Sequence, residues 1–528
     1  MSLLASVFVI AAIAHGISRA RAIPLIPLLL AGGFIAAELT PSTAFDSRDT
    51  ALQLAMTFLM FTVGLELTPQ RIQAAGRAVI WVAIAQFVVM GMVGFLLAIG
   101  LGFRQWEPFY LGLALSASST LVVIRYLSSR RQLFEPFGRL VTGVLLAQDV
   151  TMIAVLATLS RLSEGVGPGA VGFGCAVALA GTAIAVQRWV APRLVSQFGS
   201  SPESMLMATL TILFLFLWLA DFWGLPPLVG AFFAGFSLAQ FPANGIARSL
   251  LSSFADFFGA IFFVLLGTTL TLPTWPLFLK ALSFAALVII LTPPIVTIVA
   301  ERFHYSARAA IESGFLLAQV SEFALILGLL GIEQGHIGQE VYSVIAAVLV
   351  LTTSATPFLG DIRLTNRVMH MRNPWKREES DKLEGHAIML GFGAAGAWIY
   401  KPLKEAGIEV LVVDDDAQVL SQLREMGVRC RRGDATDLHT LQAIHADKAL
   451  LIIATLRRPL EVLPALRFAK GVPTFVRVFE EPEAEIIRKN GGTAVSSSEA
   501  ALEVFLAWFD VFNRERRSEL DETPEASR

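Results

Sequence analysis

The chain is poor in charged residues and in cysteine. Only 16% of its 528 residues are charged and 55% are hydrophobic, whereas soluble domains average about 25% charged residues. The net charge of −2 gives no strong basic field, so nucleic acid is not expected as a partner. Cys175 and Cys430 are too far apart to suggest a disulfide framework or a metal-binding spacing. The composition predicts a protein that lies mostly in a membrane, with a more polar part attached.

Apolar runs long enough to span a bilayer follow one another up to Gly360. They predict about thirteen spans, near 3–17, 22–38, 50–67, 78–102, 108–124, 140–160, 168–187, 204–221, 225–242, 252–272, 276–300, 309–331 and 339–360. The first run has no basic n-region and no clear cleavage site, so we interpret it as a span and not as a removed signal peptide.

Arginines concentrate in alternate loops, beginning with Arg19 and Arg21 and ending with Arg302 and Arg308. The positive-inside rule places these loops in the cytoplasm. The N-terminus is then outside and the chain after Gly360 is cytoplasmic, in a multi-pass protein of the cell inner (plasma) membrane. Because charge density rises after Gly360, we predict a transmembrane domain over 1–360, a polar linker over 361–385, an α/β domain over 386–512 and a polar tail over 513–528.

Asp149 is an acid in the middle of a long apolar run, directly after Gln148. A carboxylate at membrane depth is expensive, and it usually faces a polar cavity or a partner. We therefore predict a proton or cation site at Asp149. The structural alternative is a buried aspartate that hydrogen-bonds Gln148 or a nearby serine or threonine.

Polar residues interrupt two spans, one between Ser116 and Thr120 and the other between Gln319 and Glu322. The two spans lie seven apart, and an odd offset inverts the second copy relative to the first. The pattern predicts an inverted repeat with two broken helices, whose free carbonyls and dipole ends suit a dehydrated cation. For the serine–threonine cluster, helix packing by small polar residues is the alternative.

These stretches resemble the Kef-type monovalent cation:proton antiporters of the cation:proton antiporter-2 family. The resemblance covers nearly all of 1–360 and rests on an ordered set of motifs, namely FLMFTVGLEL at 58–67, the break at 116–120, LLAQD at 145–149, LVGAFFAG at 228–235, FFVLLG at 262–267 and LLAQVSEF at 316–323. It implies an all-α, NhaA/NapA-like membrane domain that works by alternating access.

The resemblance also implies roles for the polar residues of the spans. Asp149 would bind either a proton or a monovalent cation, K⁺ being favoured over Na⁺, and Thr120 would help to hold the cation. The residues that would orient or complete the site are Gln148, Ser118, Ser119, Thr120 and Gln319. Glu322 would be a second acid near the core, or a residue that caps or braces the broken helix.

A dinucleotide-binding pattern opens the second half of the chain. The apolar run His386–Leu390 leads into Gly391-Phe392-Gly393-Ala394-Ala395-Gly396, and a second strand ends at Asp414. The glycines allow a tight turn and a close approach of phosphate to a helix N-terminus, and Asp414 is placed for a ribose hydroxyl. The alternative is a Rossmann-like domain that binds no ligand.

Residues 386–510 resemble the nucleotide-binding half of TrkA-type domains, also called TrkA-N or RCK domains. The resemblance implies a cytoplasmic Rossmann-fold RCK domain that binds an adenine nucleotide, NAD(H) or AMP, as a regulatory ligand. Asp434, Ala435 and Thr436 would lie near the nucleotide, and Arg477 would meet a phosphate or a carboxylate. The family further implies a homodimer through the membrane and RCK domains, and an ancillary regulatory subunit.

The sequence thus favours a K⁺ (or Na⁺)/proton antiporter, regulated by nucleotide and acting in pH and ion homeostasis, and not an enzyme. Glutathione gating is not expected, because Ala394 stands where glutathione-gated Kef systems carry arginine. The alternative function is an RCK-gated potassium channel, because RCK domains also serve channels. Val171–Gly174 echoes a TVGYG filter, but it opens a long hydrophobic span with no preceding pore helix. A tethered dehydrogenase is less favoured, because no catalytic base is evident.

Overall fold

The structure is a computed structural model, and it divides the chain into two compact units, Met1–Thr365 and Asn366–Arg528. The division falls inside the predicted linker, and the exact domain boundaries stay a prediction. The residues that the structure describes are 2–21, 25–39, 48–66, 69–130, 132–133, 135–162, 166–198, 201–239, 257–271, 273–303, 305–360, 364–365, 367–369, 385–414, 417–433, 438–456, 458–496 and 509.

The first unit is helical. Its helices are α1 Ser2–Arg21, α2 Leu25–Leu39, α3 Arg48–Glu66, α4 Pro69–Gly100, α5 Glu107–Ser116, α6 Thr120–Ser129, α7 Pro136–Leu162, α8 Val166–Ala185 with a π-helical turn Val186–Val190, α9 Ala191–Phe198, α10 Pro202–Phe222, α11 Pro227–Ser237, α12 Phe257–Gly267, α13 Trp275–Arg302, α14 Ala307–Leu316, α15 Phe323–Glu333 and α16 Gln339–Leu359.

Among the described residues, 7 helices are long and apolar enough to cross a membrane, and shorter apolar helices accompany them. A helix or a broken helix pair overlaps each of the thirteen predicted spans, and the multi-pass helical fold is confirmed. The spans differ in burial. In the apolar stretch of α7, 72% of the residues are buried inside the protein, whereas in that of α4 only 33% are buried. The helix that carries Asp149 therefore lies in the interior of the unit, and α4 lies at its edge.

Glycines bring α3 and α11 into backbone contact. A Cβ added at Gly64 on α3 would overlap the carbonyl oxygen of Phe232, and one added at Gly235 on α11 would overlap that of Phe61. Small residues at such positions are what allow two membrane helices to approach closely.

The same arrangement occurs between α2 and α12. A Cβ at Gly33 would overlap the carbonyl oxygen of Val264, and one at Gly267 would overlap that of Leu30. Helices α3 and α11 are spans 3 and 9, and helices α12 and α2 are spans 10 and 2. Each span of one crossing therefore lies seven spans from a member of the other crossing. The same offset relates the two broken helices, as an inverted repeat requires.

The second unit is built on a parallel sheet with the strand order β3-β2-β1-β4-β5-β6. The strands are β1 Ala387–Leu390, β2 Val410–Asp414, β3 Cys430–Arg432, β4 Leu451–Ala454, β5 Thr474–Val478 and β6 Thr493–Ser496. The helices are α17 Gly393–Glu405, α18 Ala417–Glu425, α19 Leu438–Ala443, α20 Leu463–Phe468 and α21 Glu481–Lys489, with 3₁₀ turns at Ala446–Lys448 and Pro459–Val462.

This strand order is that of the doubly wound Rossmann fold. Strand β1 is central, and its side chains alternate between two hydrophobic cores: Ile388 and Leu390 lie in one, Ala387 and Met389 in the other. Because both faces are covered, the strand is apolar throughout. The predicted α/β domain is confirmed. Its first helix begins at Gly393, inside the glycine-rich turn.

Replacing Gly64 by valine is expected to destabilise the membrane unit. The oxygen that the new side chain meets belongs to the backbone of α11 and cannot rotate away, so the helices must separate, at a cost of about 1–3 kcal/mol or more. Gly174→Val on α8 is the matched control, because no heavy atom lies within 4 Å of a Cβ there. Thermal unfolding in detergent measures the difference, and equal melting temperatures for the two variants would contradict the close crossing.

Candidate functional site

The two helix breaks meet inside the membrane unit. Helix α5 ends at Ser116, and the next residue, Ala117, has an extended backbone with φ −118° and ψ 148°. The backbone N–H of Ser321, in the second break, donates to the carbonyl oxygen of Ala117 at 3.0 Å. This contact pairs a donor from one break with an acceptor from the other, in a region where water cannot satisfy them.

Helix α7 passes the first break and binds it through two adjacent residues. The hydroxyl of Thr120 donates to Oδ2 of Asp149 at 2.8 Å, and the backbone N–H of Ser118 donates to Oε1 of Gln148 at 3.0 Å. All four residues are at most 1% exposed. Asp149 thus lies at the N-terminus of α6, where the helix dipole and the Thr120 hydroxyl both stabilise a negative charge.

Helix α16 makes hydrogen bonds to the second break, just as α7 does to the first. The backbone N–H of Val320 donates to Oγ1 of Thr352 at 3.1 Å, and the hydroxyl of Thr356 donates to Oε1 of Gln319 at 2.9 Å. Neither threonine was predicted from the sequence. Their only signal was the run Thr352-Thr353-Ser354-Ala355-Thr356 in the last apolar span.

Glu322 immediately precedes α15 and is 1% exposed. Its side chain gives α15 no cap hydrogen bond, which leaves the expected capping role without support. The hydroxyl of Ser119 and the backbone amide of Leu121 face its carboxyl group, yet neither carboxylate oxygen has a hydrogen-bond partner of good geometry among the described residues. The structure therefore brings a second acid to the N-terminus of α6, the helix end that also binds Asp149.

Ser119 is the N-cap of α6, and its hydroxyl accepts from the backbone N–H of Val122 at 3.4 Å. All the residues that the sequence assigned to the membrane site thus come together at the two breaks: Ser118, Ser119, Thr120, Gln148, Asp149, Gln319 and Glu322. Among the described residues, no group of three or more histidine, cysteine or acidic side chains could hold a resident metal ion.

Gln86 on α4 is a further member that sequence reasoning missed. Its Nε2 donates to Oγ of Ser118 at 2.8 Å and to the carbonyl oxygen of Leu317 at 3.3 Å. It therefore touches both breaks. The signal in the sequence was a lone amide in the middle of the apolar stretch Gly76–Gly100.

The glycine-rich turn of the second unit has the geometry of a phosphate-binding loop. Gly391 has φ +78°, a conformation that favours glycine. A Cβ at Gly396 would lie 3.0 Å from the ring of Phe392 and 3.2 Å from the sulfur of Met389, so this glycine allows α17 to pack closely on β1. Helix α17 begins at Gly393 without a side-chain cap, and its N-terminus follows the carboxyl end of β1.

Asp414 ends β2 beside this turn, and its Oδ2 accepts from the backbone N–H of Phe392 at 2.9 Å. The guanidinium of Arg477 on β5 lies 4.7 Å from the ring centroid of Phe479, and its expected contact with a phosphate or a carboxylate stays a prediction. Asp434, Ala435 and Thr436 lie outside the described residues.

Comparison with known families assigns both units. Residues 4–360 match the family described as "Sodium/hydrogen exchanger, transmembrane", and residues 387–498 match the TrkA-N domain. The chain belongs to the sodium/hydrogen exchanger family. It is a membrane transporter of the cation:proton antiporter class and not an enzyme.

Individual relatives carry both units. The chain is 26% identical to the Escherichia coli protein YbaL, provisionally named a cation/proton antiporter, over 91% of this chain and 92% of that one. It is 27% identical to the glutathione-regulated potassium-efflux system protein KefC of Escherichia fergusonii, over 84% of this chain and 76% of that one. The resemblance to Kef-type antiporters with a C-terminal TrkA-N domain is confirmed.

A solved structure shows the same membrane fold. The sodium proton antiporter MjNhaP1 of Methanocaldococcus jannaschii superposes with a TM-score of 0.55, over 69% of this chain and 97% of that one. The sequence identity is 18%, so this likeness concerns the fold alone.

Thr352→Val is expected to lower the free energy of unfolding by about 1–3 kcal/mol, because it leaves the buried N–H of Val320 without an acceptor. Thr353→Val is the matched control: among the described residues, the Thr353 hydroxyl bonds the Leu349 and Val350 carbonyls of its own helix. Melting temperatures of both variants in one detergent test the expectation. Equal losses would show that the contact of α16 with the break contributes no stability of its own.

Proposed function

We propose that the protein exchanges a monovalent cation, K⁺ in preference to Na⁺, for protons by alternating access, with Asp149 as the shared carboxylate. The observation that carries the proposal is the burial of Asp149 at the N-terminus of a broken helix, 0% exposed and hydrogen-bonded to Thr120. One carboxylate that binds either ligand exchanges them by competition. Protonation removes the negative charge that holds the cation, and cation binding displaces the proton.

The neighbours of Asp149 have separate tasks in this proposal. Thr120 supplies a hydroxyl oxygen to the cation, and Gln148 fixes the first break by accepting from Ser118. Ser119 caps α6, and Gln319 ties the second break to α16. Glu322 is a second acid at the same helix end.

The preference for K⁺ rests on relatives, since KefC of Escherichia fergusonii is named a potassium-efflux system. The channel alternative is disfavoured by the position of Val171–Gly174, which lies inside the continuous helix α8. Carbonyls committed to helical hydrogen bonds cannot form the ring of ligands that a potassium filter needs.

For the second unit, we propose regulation by an adenine nucleotide, NAD(H) or AMP. The phosphates would lie at the N-terminus of α17, against Gly391, Phe392, Gly393 and Gly396. Asp414 would bind the ribose hydroxyls, and Asp434, Ala435, Thr436 and Arg477 would complete the site. The support is the φ of Gly391 and the close packing of Gly396, which together leave the uncapped helix end open to a phosphate.

The arginine bias of alternate loops supports an extracellular N-terminus and a cytoplasmic TrkA-N domain, in the cell inner membrane. We further propose a homodimer through both domains and, on family grounds, an ancillary regulatory subunit.

Asp149→Asn is expected to reduce cation-driven proton flux in proteoliposomes to the rate of protein-free liposomes, because the amide carries no charge and accepts no proton. The flux is followed with an internal pH dye after K⁺ or Na⁺ is added, with a potassium ionophore present to clamp the potential. Comparing the proton flux driven by K⁺ with that driven by Na⁺ identifies the transported ion.

Asp221→Asn is the control for this exchange assay, because Asp221 is an exposed aspartate on α10 and should exchange at the wild-type rate. Proton flux that survives in Asp149→Asn would overturn the proposed carboxylate. Cation permeation without proton counter-movement would instead support the channel.

Asp414→Asn is expected to weaken binding of NADH or AMP by about tenfold, since a charge-assisted bond to the ribose is lost while an acceptor for the Phe392 N–H is kept. Isothermal titration on the full-length protein measures the affinity. Glu409→Gln is the control, because Glu409 directly precedes β2, at the opposite edge of the sheet, and pairs with Arg429. Equal affinities in both variants would refute this nucleotide site, and steady consumption of NADH would indicate an enzyme.

A further inference from the structure

We propose that Gln86 supplies a neutral oxygen ligand to the transported monovalent cation beside Asp149. The inference rests on the proposed exchange at Asp149 and adds a ligand from α4, a helix outside both breaks. It concerns a buried amide whose nitrogen joins the two breaks but whose oxygen has no hydrogen-bond partner among the described residues.

Gln86 is an unusual residue for its helix. The stretch Gly76–Gly100 has a mean hydropathy of 2.4, and Gln86 is 2% exposed within it. A buried amide is expensive unless both of its polar atoms have partners. Only one of them does: Nε2 donates to Ser118 and to the carbonyl oxygen of Leu317, whereas Oε1 is buried and has no hydrogen-bond partner among the described residues.

The hydrogen bonds fix which end of the amide faces which way. The hydroxyl of Ser118 donates its own hydrogen to the carbonyl oxygen of Leu317 at 2.7 Å, so it can only accept from Gln86. The Leu317 carbonyl can also only accept. Both neighbours therefore require the amide nitrogen, and a flipped side chain would place oxygen against two acceptors. The unpaired atom is an acceptor, the kind of atom that binds a cation.

The amide also lies next to the proposed exchange site. Ser118, which accepts from Gln86, donates its backbone N–H to Gln148, the residue before Asp149. Two residues further along the first break, Thr120 binds Asp149 itself. Among the described residues at these breaks, the buried oxygens that lack a hydrogen-bond partner of good geometry include Oε1 of Gln86 and the two carboxylate oxygens of Glu322. Oxygen atoms are the ligands that replace the hydration shell of an alkali cation.

The charge of the ligand fits the exchange. A carbonyl dipole stabilises a dehydrated cation but stays neutral at all pH values, so Asp149 remains the group whose protonation releases the cation. Gln86 then sets affinity and selectivity, since these depend on the number and placement of neutral oxygen ligands.

The test measures K⁺ and Na⁺ half-saturation and maximal exchange rate in proteoliposomes for Gln86→Leu and Gln86→Glu. With a ligand role, Gln86→Leu raises the K⁺ half-saturation concentration about tenfold or more and changes the K⁺/Na⁺ ratio. Gln86→Glu, when protonated, keeps an oxygen at the ligand position and an O–H donor toward Ser118 and Leu317, so it has the smaller effect on half-saturation. If Gln86 only fastens the breaks together, both variants lower stability and maximal rate while half-saturation and the K⁺/Na⁺ ratio stay at wild-type values, and that result overturns the proposal.

Gln187→Leu is the matched control. Gln187 is also a buried amide in a membrane helix, and its Nε2 donates to the carbonyl oxygen of Phe236 at 3.0 Å. This variant loses an equivalent hydrogen bond elsewhere and should keep wild-type half-saturation. Should Gln86→Leu not yield folded protein, Gln86→Asn replaces it: the amide is kept but retracted by one methylene, with the same rise in half-saturation expected and an unchanged value again overturning the proposal.

Asp149→Asn, assayed alongside, separates the two proposals. If exchange survives in Asp149→Asn, the proposed function is wrong. If exchange is lost in Asp149→Asn but Gln86→Leu keeps wild-type half-saturation and selectivity, only the proposed role of Gln86 is wrong.

Discussion

The membrane unit depends on one constraint: backbone groups exposed by a helix break at membrane depth must find partners within the protein. The hydrogen bond from Ser321 to Ala117 satisfies a group from each break by joining the two. Each following helix then supplies a side-chain acceptor, Gln148 on α7 and Thr352 on α16. The position of α7, and with it that of Asp149, follows from this pairing.

The two repeats share this scaffold but differ in charge. Gln148 and Thr352 play the same part, so the residues that follow them, Asp149 and Thr353, occupy equivalent places in the two repeats. Only the first is an acid. At the N-caps the acid is in the second repeat: the neutral Ser119 precedes α6, whereas Glu322 precedes α15. A symmetric scaffold therefore holds an asymmetric charge distribution, and both acids face the N-terminal end of α6, where the helix dipole favours negative charge.

The second unit follows a different rule. In a parallel sheet the carboxyl ends of the strands share one edge, and there the turn after β1, the start of α17 and Asp414 come together. The hydrogen bond between Phe392 and Asp414 links them directly. Because this arrangement depends on local geometry and on strand order, a short sequence pattern was enough to predict it.

Much of the molecule could be predicted from the sequence, because span length, polar interruptions and the glycine pattern are local properties of the chain. They predicted the thirteen spans, the two breaks, a buried Asp149 and the glycine-rich turn after β1. Partners distant in sequence could not be predicted. Gln86 meets Leu317 across 231 positions, and Thr352 meets Val320 across 32. A lone glutamine or threonine in an apolar span indicates only that it is buried, since the atom it bonds is decided by which helices pack together.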